Sequence, residues 1–215
     1  MPTPECIIFD CDGILVDSEQ ITFSVLSEMS REIGVILTET ELEHHFLGKS
    51  LNSIIRFLGE ETGKNLADTF ESEFRQRTFD RFKTDLQPVD GISALLDRIR
   101  VPVCVASSGP PAKIKMNLAL TGLTNYFGDK VFSCYDLKRW KPDPAIFRHA
   151  AQTMGYRPGQ CVVIEDSPTG VRGAIAGGFR TYALSRHGNE QLLADAGATV
   201  YHHHRELYDL LFAEG

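Results

Sequence analysis

Short apolar runs alternate with amphipathic stretches along most of the chain. Cys6-Ile7-Ile8-Phe9 ends in Asp10, Val101 to Ala106 ends in Ser107-Ser108-Gly109, Lys130-Val131-Phe132 ends in Ser133, and Cys161 to Ile164 ends in Glu165-Asp166. A continuous apolar run bounded by turn residues is the pattern of a strand buried on both faces of a parallel sheet. Thr181-Tyr182-Ala183 and Thr199-Val200-Tyr201 predict two weaker strands. Helical spacing recurs between the runs, over Ile92 to Ile99, Ala112 to Leu120, Pro144 to Met154 and Pro168 to Ala176, and a terminal helix is expected from Arg205 to Phe212. Strand alternating with helix predicts an α/β fold, a doubly wound parallel sheet.

The alternation stops between residues 18 and 87, where only helical patterns occur. Ile21, Val25, Leu26, Met29 and Ile33 keep a helical period, as do Leu51, Ile54, Ile55 and Leu58. Thr38-Glu39-Thr40-Glu41 has the form of a capping box. Gly59 and Gly63 are candidate terminators, and Phe70, Phe74, Phe79 and Phe82 are expected to line a third helix as the core of a small bundle. The chain therefore divides into an α/β core, residues 1–17 and 88–215, and an inserted all-helical domain, residues 18–87. Pro88 and Gly91 mark the return to the core.

Composition narrows the partners. Of 215 residues, 42% are hydrophobic and 24% charged, as in an ordinary globular protein. The net charge is −7, and the insert, with eight basic and thirteen acidic residues, carries −5 of it. An acidic chain is not expected to bind nucleic acid, which is held through many Lys and Arg contacts to phosphate. No apolar run approaches the roughly 18 residues of a transmembrane helix, and the start lacks the basic region of an export signal. The five cysteines are odd in number and contain no CxxC pair, so reduced thiols and a cytoplasmic location are expected. A cysteine phosphatase needs Arg six positions after its nucleophile. Pro110 stands there after Cys104 and Ser167 after Cys161, which excludes that chemistry.

Candidate chemistry gathers at the strand ends, where open parallel sheets bind ligands. Those ends carry Asp10 and Asp12, Ser107 and Ser108, and Glu165 and Asp166. Carboxylates from two strands suit a hard cation such as Mg²⁺, while the hydroxyls and backbone amides of Ser107, Ser108 and Gly109 suit phosphate oxygens. Lys141, just before a helix, suits both a phosphate and a neighbouring carboxylate. If the chain stays extended, Asp10 and Asp12 project the same way, and Gly13 permits a tight turn. Such a pair can divide its labour, one carboxylate attacking phosphorus and the other moving protons. Two carboxylates facing a phosphate dianion require a cation to offset the repulsion.

Asp10-Cys11-Asp12-Gly13-Ile14-Leu15-Val16-Asp17-Ser18-Glu19 resembles the first motif of the haloacid dehalogenase-like superfamily. Ser107 matches its second motif, Lys141 its third and Glu165-Asp166 its fourth, in order and over essentially the whole chain. The resemblance implies a Mg²⁺-dependent phosphotransferase with Asp10 as nucleophile and Asp12 as acid and base. It also implies metal ligands in the Asp10 carboxylate, the Asp12 backbone carbonyl and Asp166, with Glu165 acting directly or through another ligand. The helical insert corresponds to the mobile cap of that family, and Asp17-Ser18-Glu19 is expected to start its first helix as N-cap residues. Dehalogenases lack the second Asp, so the β-phosphoglucomutase-like phosphatases are the closer likeness. The substrate implied is a small phosphorylated metabolite, a sugar phosphate or 6-phosphogluconate; separately, a monomer is the expected state.

A phosphosugar mutase remains the alternative. Mutases carry a His in the first cap helix where Thr22 stands here, and a cap-loop Arg where Leu51 stands, although Lys49 is close by as a candidate substrate contact. A phosphoreceiver or binding module is disfavoured by the insert and by Asp12. Gly48-Lys49-Ser50 imitates the end of a P-loop, but Glu43 replaces the required upstream Gly. His202-His203-His204 is expected to form a solvated loop, and His44 and His45 to lie on a helix surface. Trp140 either walls the site or merely packs.

Overall fold

The computed structural model describes residues 2–46, 51–186 and 188–212, and in it the chain forms two compact units, Met1–Asp17 with Gln87–Gly215, and Ser18–Leu86. The first unit is built on six strands: β1 (Cys6–Phe9), β2 (Val103–Ser107), β3 (Val131–Ser133), β4 (Cys161–Glu165), β5 (Arg180–Leu184) and β6 (Thr199–Tyr201). All pairs are parallel, in the order β3-β2-β1-β4-β5-β6. The central strands β1 and β4 are buried along their whole length, which is why they read as unbroken apolar runs rather than alternating ones. Phe9 is in register with Val105 and with Ile164, and Ser107 with Ser133. The side chains that follow these positions therefore emerge at one edge of the sheet, on either side of the point where the strand order reverses.

Helices follow the strands as the periodicity predicts: α5 (Ile92–Arg98), α6 (Pro111–Leu120), α7 (Thr124–Phe127), α8 (Cys134–Leu137), α9 (Ala145–Thr153), α10 (Pro168–Gly177), α11 (Glu190–Asp195) and α12 (His204–Phe212). Ile146, Phe147, Ala150 and Ala151 of α9 share a core with Cys6, Ile8, Cys104, Cys161 and Val163 of the sheet. All five cysteines are buried and unbridged. Cys134 opens α8, where the Ser133 side chain accepts a hydrogen bond from the Tyr135 amide as an N-cap.

The second unit holds α1 (Glu19–Glu32), α2 (Glu39–Phe46), α3 (Leu51–Thr62) and α4 (Ala67–Asp85). Val25, Leu26 and Met29 meet Ile54, Ile55, Leu58, Phe70 and Phe74 in its core. The capping box is present: the Thr38 amide donates to Glu41 and the Glu41 amide to Thr38 Oγ1. Four expectations are corrected. Gly59 lies inside α3, and the helix stops at Gly63, whose φ is +66°. The phenylalanines belong to the fourth helix, where positions 70, 74, 78 and 82 form the buried stripe, and Phe79, one residue out of phase, is 42% exposed beneath Lys83. Ser18 precedes α1 without capping it through its side chain. His45 stacks on Phe57, ring centroids 4.1 Å apart, instead of standing in solvent; the side chain of His44 is outside the described residues.

The fifth correction concerns the histidine run. His202 and His203 are exposed, but His204 is completely buried at the start of α12. Its Nε2 lies 2.9 Å from the Ile14 carbonyl and its Nδ1 3.2 Å from the Tyr201 hydroxyl. A carbonyl only accepts, so Nε2 carries the proton and Nδ1 accepts from Tyr201. Burial pushes the His204 imidazole down to about 4. The unfolded chain, titrating near 6.5, takes up a proton that the folded chain refuses. His204 therefore contributes stability above pH 6.5 that is lost as pH falls towards 4, about 3 kcal/mol in all. Urea midpoints at pH 7 and pH 4.5 measure this loss, and His204→Gln should shrink it.

Candidate active site

The ladder with β4 continues through Asp10, whose amide donates to Ile164, and a loop follows. The amides of Leu15 and Val16 both donate to the Cys11 carbonyl, and the Gly13 amide donates to Val16, closing residues 11–16 into a compact loop. Gly13 sits at φ +81°, and a Cβ there would fall 1.7 Å from Asp166 Oδ2, so only glycine fits. The Asp166 carboxylate thus presses against the loop that presents Asp12. The Asp17 amide donates to Gln87 and the Val89 amide to Leu15, stitching together the outgoing and returning chain where the helical unit is inserted.

Because of that turn, Asp10 and Asp12 engage different lysines. Lys141 Nζ donates to Asp10 Oδ1 at 2.5 Å and to Glu165 Oε1 at 2.6 Å, and all three side chains are nearly buried. Lys113 Nζ donates to both oxygens of Asp12, at 3.0 and 2.9 Å. Glu165 Oε2 accepts from the amides of Asp166 and Ser167 and from the Ser167 hydroxyl. Both Glu165 oxygens are therefore engaged by the protein itself.

The electrostatics follow from this pairing. Burial pushes the Asp10 carboxyl up to about 7, against the pull of Lys141, with Glu165 adding to the rise. Burial alone would lower Lys141, but the Asp10 and Glu165 carboxylates more than offset it and hold the ammonium protonated. One cation between two buried carboxylates leaves a local excess of negative charge, a natural place for a further cation.

Serines line the other side. Ser107 Oγ accepts from the Gly109 amide at 3.0 Å, and Ser133 Oγ donates to the Gly109 carbonyl at 2.6 Å, so β2 and β3 jointly hold the 107–109 loop. The Ser108 hydroxyl lies 3.9 Å from Cys134 Sγ. Trp140 is 47% exposed, its ring edge-on to Tyr135 with centroids 5.5 Å apart, so it packs on a neighbour without being buried. Thr22 spends its hydroxyl on the Ser18 carbonyl within α1. Lys49 lies outside the described residues.

Several site residues carry no motif signal. Lys113 lies in the first turn of α6, where a charged residue reads as an ordinary solvated position. Arg186 pairs with Asp17 at 3.1 and 3.3 Å, while Asn189 accepts from the Arg186 amide and donates to the Asp166 carbonyl. The β5–α11 connection thereby ties the insertion point to the loop of Asp166. The nearest sequence hint is the polar run that follows β5, which is indistinguishable from a plain loop.

Gly170 is the second glycine the site requires. A Cβ at Gly170 would lie 1.9 Å from Glu165 Oε1, the oxygen that receives Lys141. Gly170→Ala should displace Glu165 and cost about 2–3 kcal/mol, in the range of an overpacked core. Its thermal midpoint and kcat, measured beside Thr169→Ala as a neighbouring control, check this.

The donors suit a hard cation. Among the described residues no cluster of three or more His, Cys, Asp or Glu side chains forms a ready metal cage. The oxygens on hand, the Asp10 and Asp166 carboxylates and the Asp12 carbonyl, match a small cation that keeps several of its waters, as Mg²⁺ does.

Residues 4–178 match the family model of the haloacid dehalogenase-like hydrolases. The chain is 35% identical over 212 residues to the 6-phosphogluconate phosphatase of Escherichia coli K12, covering 98% of this chain and 96% of that one. It is 28% identical to the phosphorylated carbohydrates phosphatase of Thermotoga maritima, covering 96% and 98%. A crystal structure of a HAD family hydrolase from Deinococcus radiodurans with bound phosphate and sodium superposes with a TM-score of 0.86 at 28% identity, over 98% of this chain and 96% of that one.

Proposed function

The chain belongs to the haloacid dehalogenase-like hydrolases, and from that premise we propose that it is a Mg²⁺-dependent phosphatase of small sugar phosphates or 6-phosphogluconate, working through an aspartyl phosphate. The two sequence relatives above are named as phosphatases, and their names support a substrate among phosphorylated carbohydrates and phosphogluconate. The single observation that carries the mechanism is the Asp10–Lys141–Glu165 array at the edge of the sheet.

In the proposed reaction an Asp10 oxygen attacks phosphorus and the ester P–O bond breaks, its electron pair leaving on the alcohol oxygen. Asp12 gives that oxygen its proton. Water then attacks the phosphorus of the aspartyl phosphate, Asp12 takes the proton from the water, and the Asp10 carboxylate is restored with release of inorganic phosphate. Ser107, Ser108 and Lys141 receive the phosphoryl oxygens, while the Gly109 amide holds Ser107 Oγ in place. Asp10, the Asp12 carbonyl and Asp166 would hold Mg²⁺, which supplies charge to offset the phosphate dianion. Glu165 is assigned to holding Lys141 and the 165–167 turn, because both its oxygens are engaged there. The helical unit, residues 18–86, is assigned substrate selection as the cap.

The hydrolase reading is favoured over a mutase by Thr22, which stands where mutases carry a His and whose hydroxyl is bound to its own helix. Incubation with Mg²⁺ and a panel of hexose phosphates and 6-phosphogluconate tests it. Release of inorganic phosphate is expected; interconversion of 1- and 6-phosphates without release would establish a mutase instead.

A further inference from the structure

We propose that Lys113 is the positioning residue for Asp12, a role that rests on the phosphatase reading above. Asp12 lies beyond β1 in the 11–16 loop, outside the sheet's hydrogen-bond ladder, so the strand itself does not fix its carboxylate. Something else must fix its carboxylate, and Lys113 does so by donating to both oxygens at 3.0 and 2.9 Å. The two side chains are about a third exposed, so the pair stands at the edge of the site and not in the core. Lys113 projects from the first turn of α6, which directly continues the 107–109 loop. One short segment, residues 107–113, thereby contributes both the phosphate-binding groups and the anchor of the proton-transfer group. A shift of that segment moves the two together, which keeps the acid in register with the phosphorus it serves.

Lys113 acts through Asp12 and leaves the nucleophile to Lys141, so its loss should fall on the steps that need a positioned proton. An alkyl ester such as glucose 6-phosphate has a poor leaving group and needs the acid. A p-nitrophenyl ester has a good leaving group and forms the aspartyl phosphate without that help. Breakdown of the intermediate needs Asp12 in either case.

The test compares Lys113→Met, Lys113→Arg and the unmodified enzyme on both esters with Mg²⁺. Lys113→Met should lower kcat on glucose 6-phosphate by about 10–100-fold with KM within about threefold, the scale of lost proton-transfer catalysis. On p-nitrophenyl phosphate it should show a stoichiometric burst of nitrophenolate followed by slow turnover. Lys113→Arg, which keeps a donor and the charge, should recover most of the rate. A raised KM with unchanged kcat would make Lys113 a substrate contact and overturn the proposal. An equal loss in the burst phase and on the alkyl ester would do the same. A merely structural role would lower the thermal midpoint and not separate the two esters. Failure of the unmodified enzyme to release phosphate from any ester would overturn the phosphatase reading itself, and this inference with it.

Discussion

Asp10→Asn should abolish turnover, lowering kcat by at least about 10⁴-fold as expected for loss of a nucleophile. The amide has the shape of the carboxylate but cannot form an acyl phosphate, because it is neutral and its oxygen is far too weak a nucleophile to attack phosphorus. The substituted side chain would still fill the space at the end of β1 and still accept from Lys141, so the fold should persist. Its stability should change little, since the variant removes one of two buried carboxylates that now share a single ammonium. Substrate should bind, and ³²P from labelled substrate should not remain on the protein, whereas the unmodified enzyme quenched in acid should retain it. Residual hydrolysis above about one part in a thousand would break the covalent mechanism and point to direct attack by water.

Lys141→Met should carry the largest combined effect on stability and activity. Lys141 is the cation between Asp10 and Glu165, and removing one partner of a buried ion pair typically costs about 3–5 kcal/mol. The residual carboxylates then repel one another, and Asp10, already raised by burial, should rise further towards the neutral form. A carboxyl whose folded pKa lies above its unfolded value binds a proton that the unfolded chain has released, so folding is favoured as pH falls. Lys141→Met should therefore be more stable at pH 5.5 than at pH 8, relative to the unmodified protein at each pH. A double variant with Glu165→Gln should recover part of the loss by removing one unpaired charge. Urea denaturation at the two pH values measures both effects; equal destabilisation at both would contradict the electrostatic account. Activity should fall at least about 10³-fold, because the phosphate would lose the ammonium assigned to receive its oxygens.

The edge that carries the candidate site was legible in the chain because each buried strand must end where its apolar run ends. Asp10, Ser107 and Glu165 stand at those ends, and the parallel register of β1 with β2 and β4 brings them to one side. Lys141 was legible through its motif, and its pairing with Asp10 and Glu165 suits what the motif implies. The capping box at Thr38 and the helical period of Ile54, Ile55 and Leu58 were legible because both depend on neighbours within four residues.

What escaped the sequence depends on contacts between distant segments. Phe79 has the chemistry of a core residue and differs from Phe82 only in helical phase, which a count of apolar positions does not resolve. His204 looks like the end of a polar run, since a histidine is buried only when both ring nitrogens find partners. Those partners are Tyr201 and, 190 positions away, the Ile14 carbonyl. Asp12 shows the same division within one motif. Its identity and its place after β1 were written in the local pattern, and so was the glycine that turns the chain. The ammonium that holds it lies 101 residues further on, at the start of α6. Local periodicity determines where strands and helices begin and end, because hydrogen bonding and side-chain burial repeat over a few residues. Which charge neutralises which is decided only when the sheet closes, because a buried carboxylate takes whatever cation the packed neighbours bring within hydrogen-bond reach.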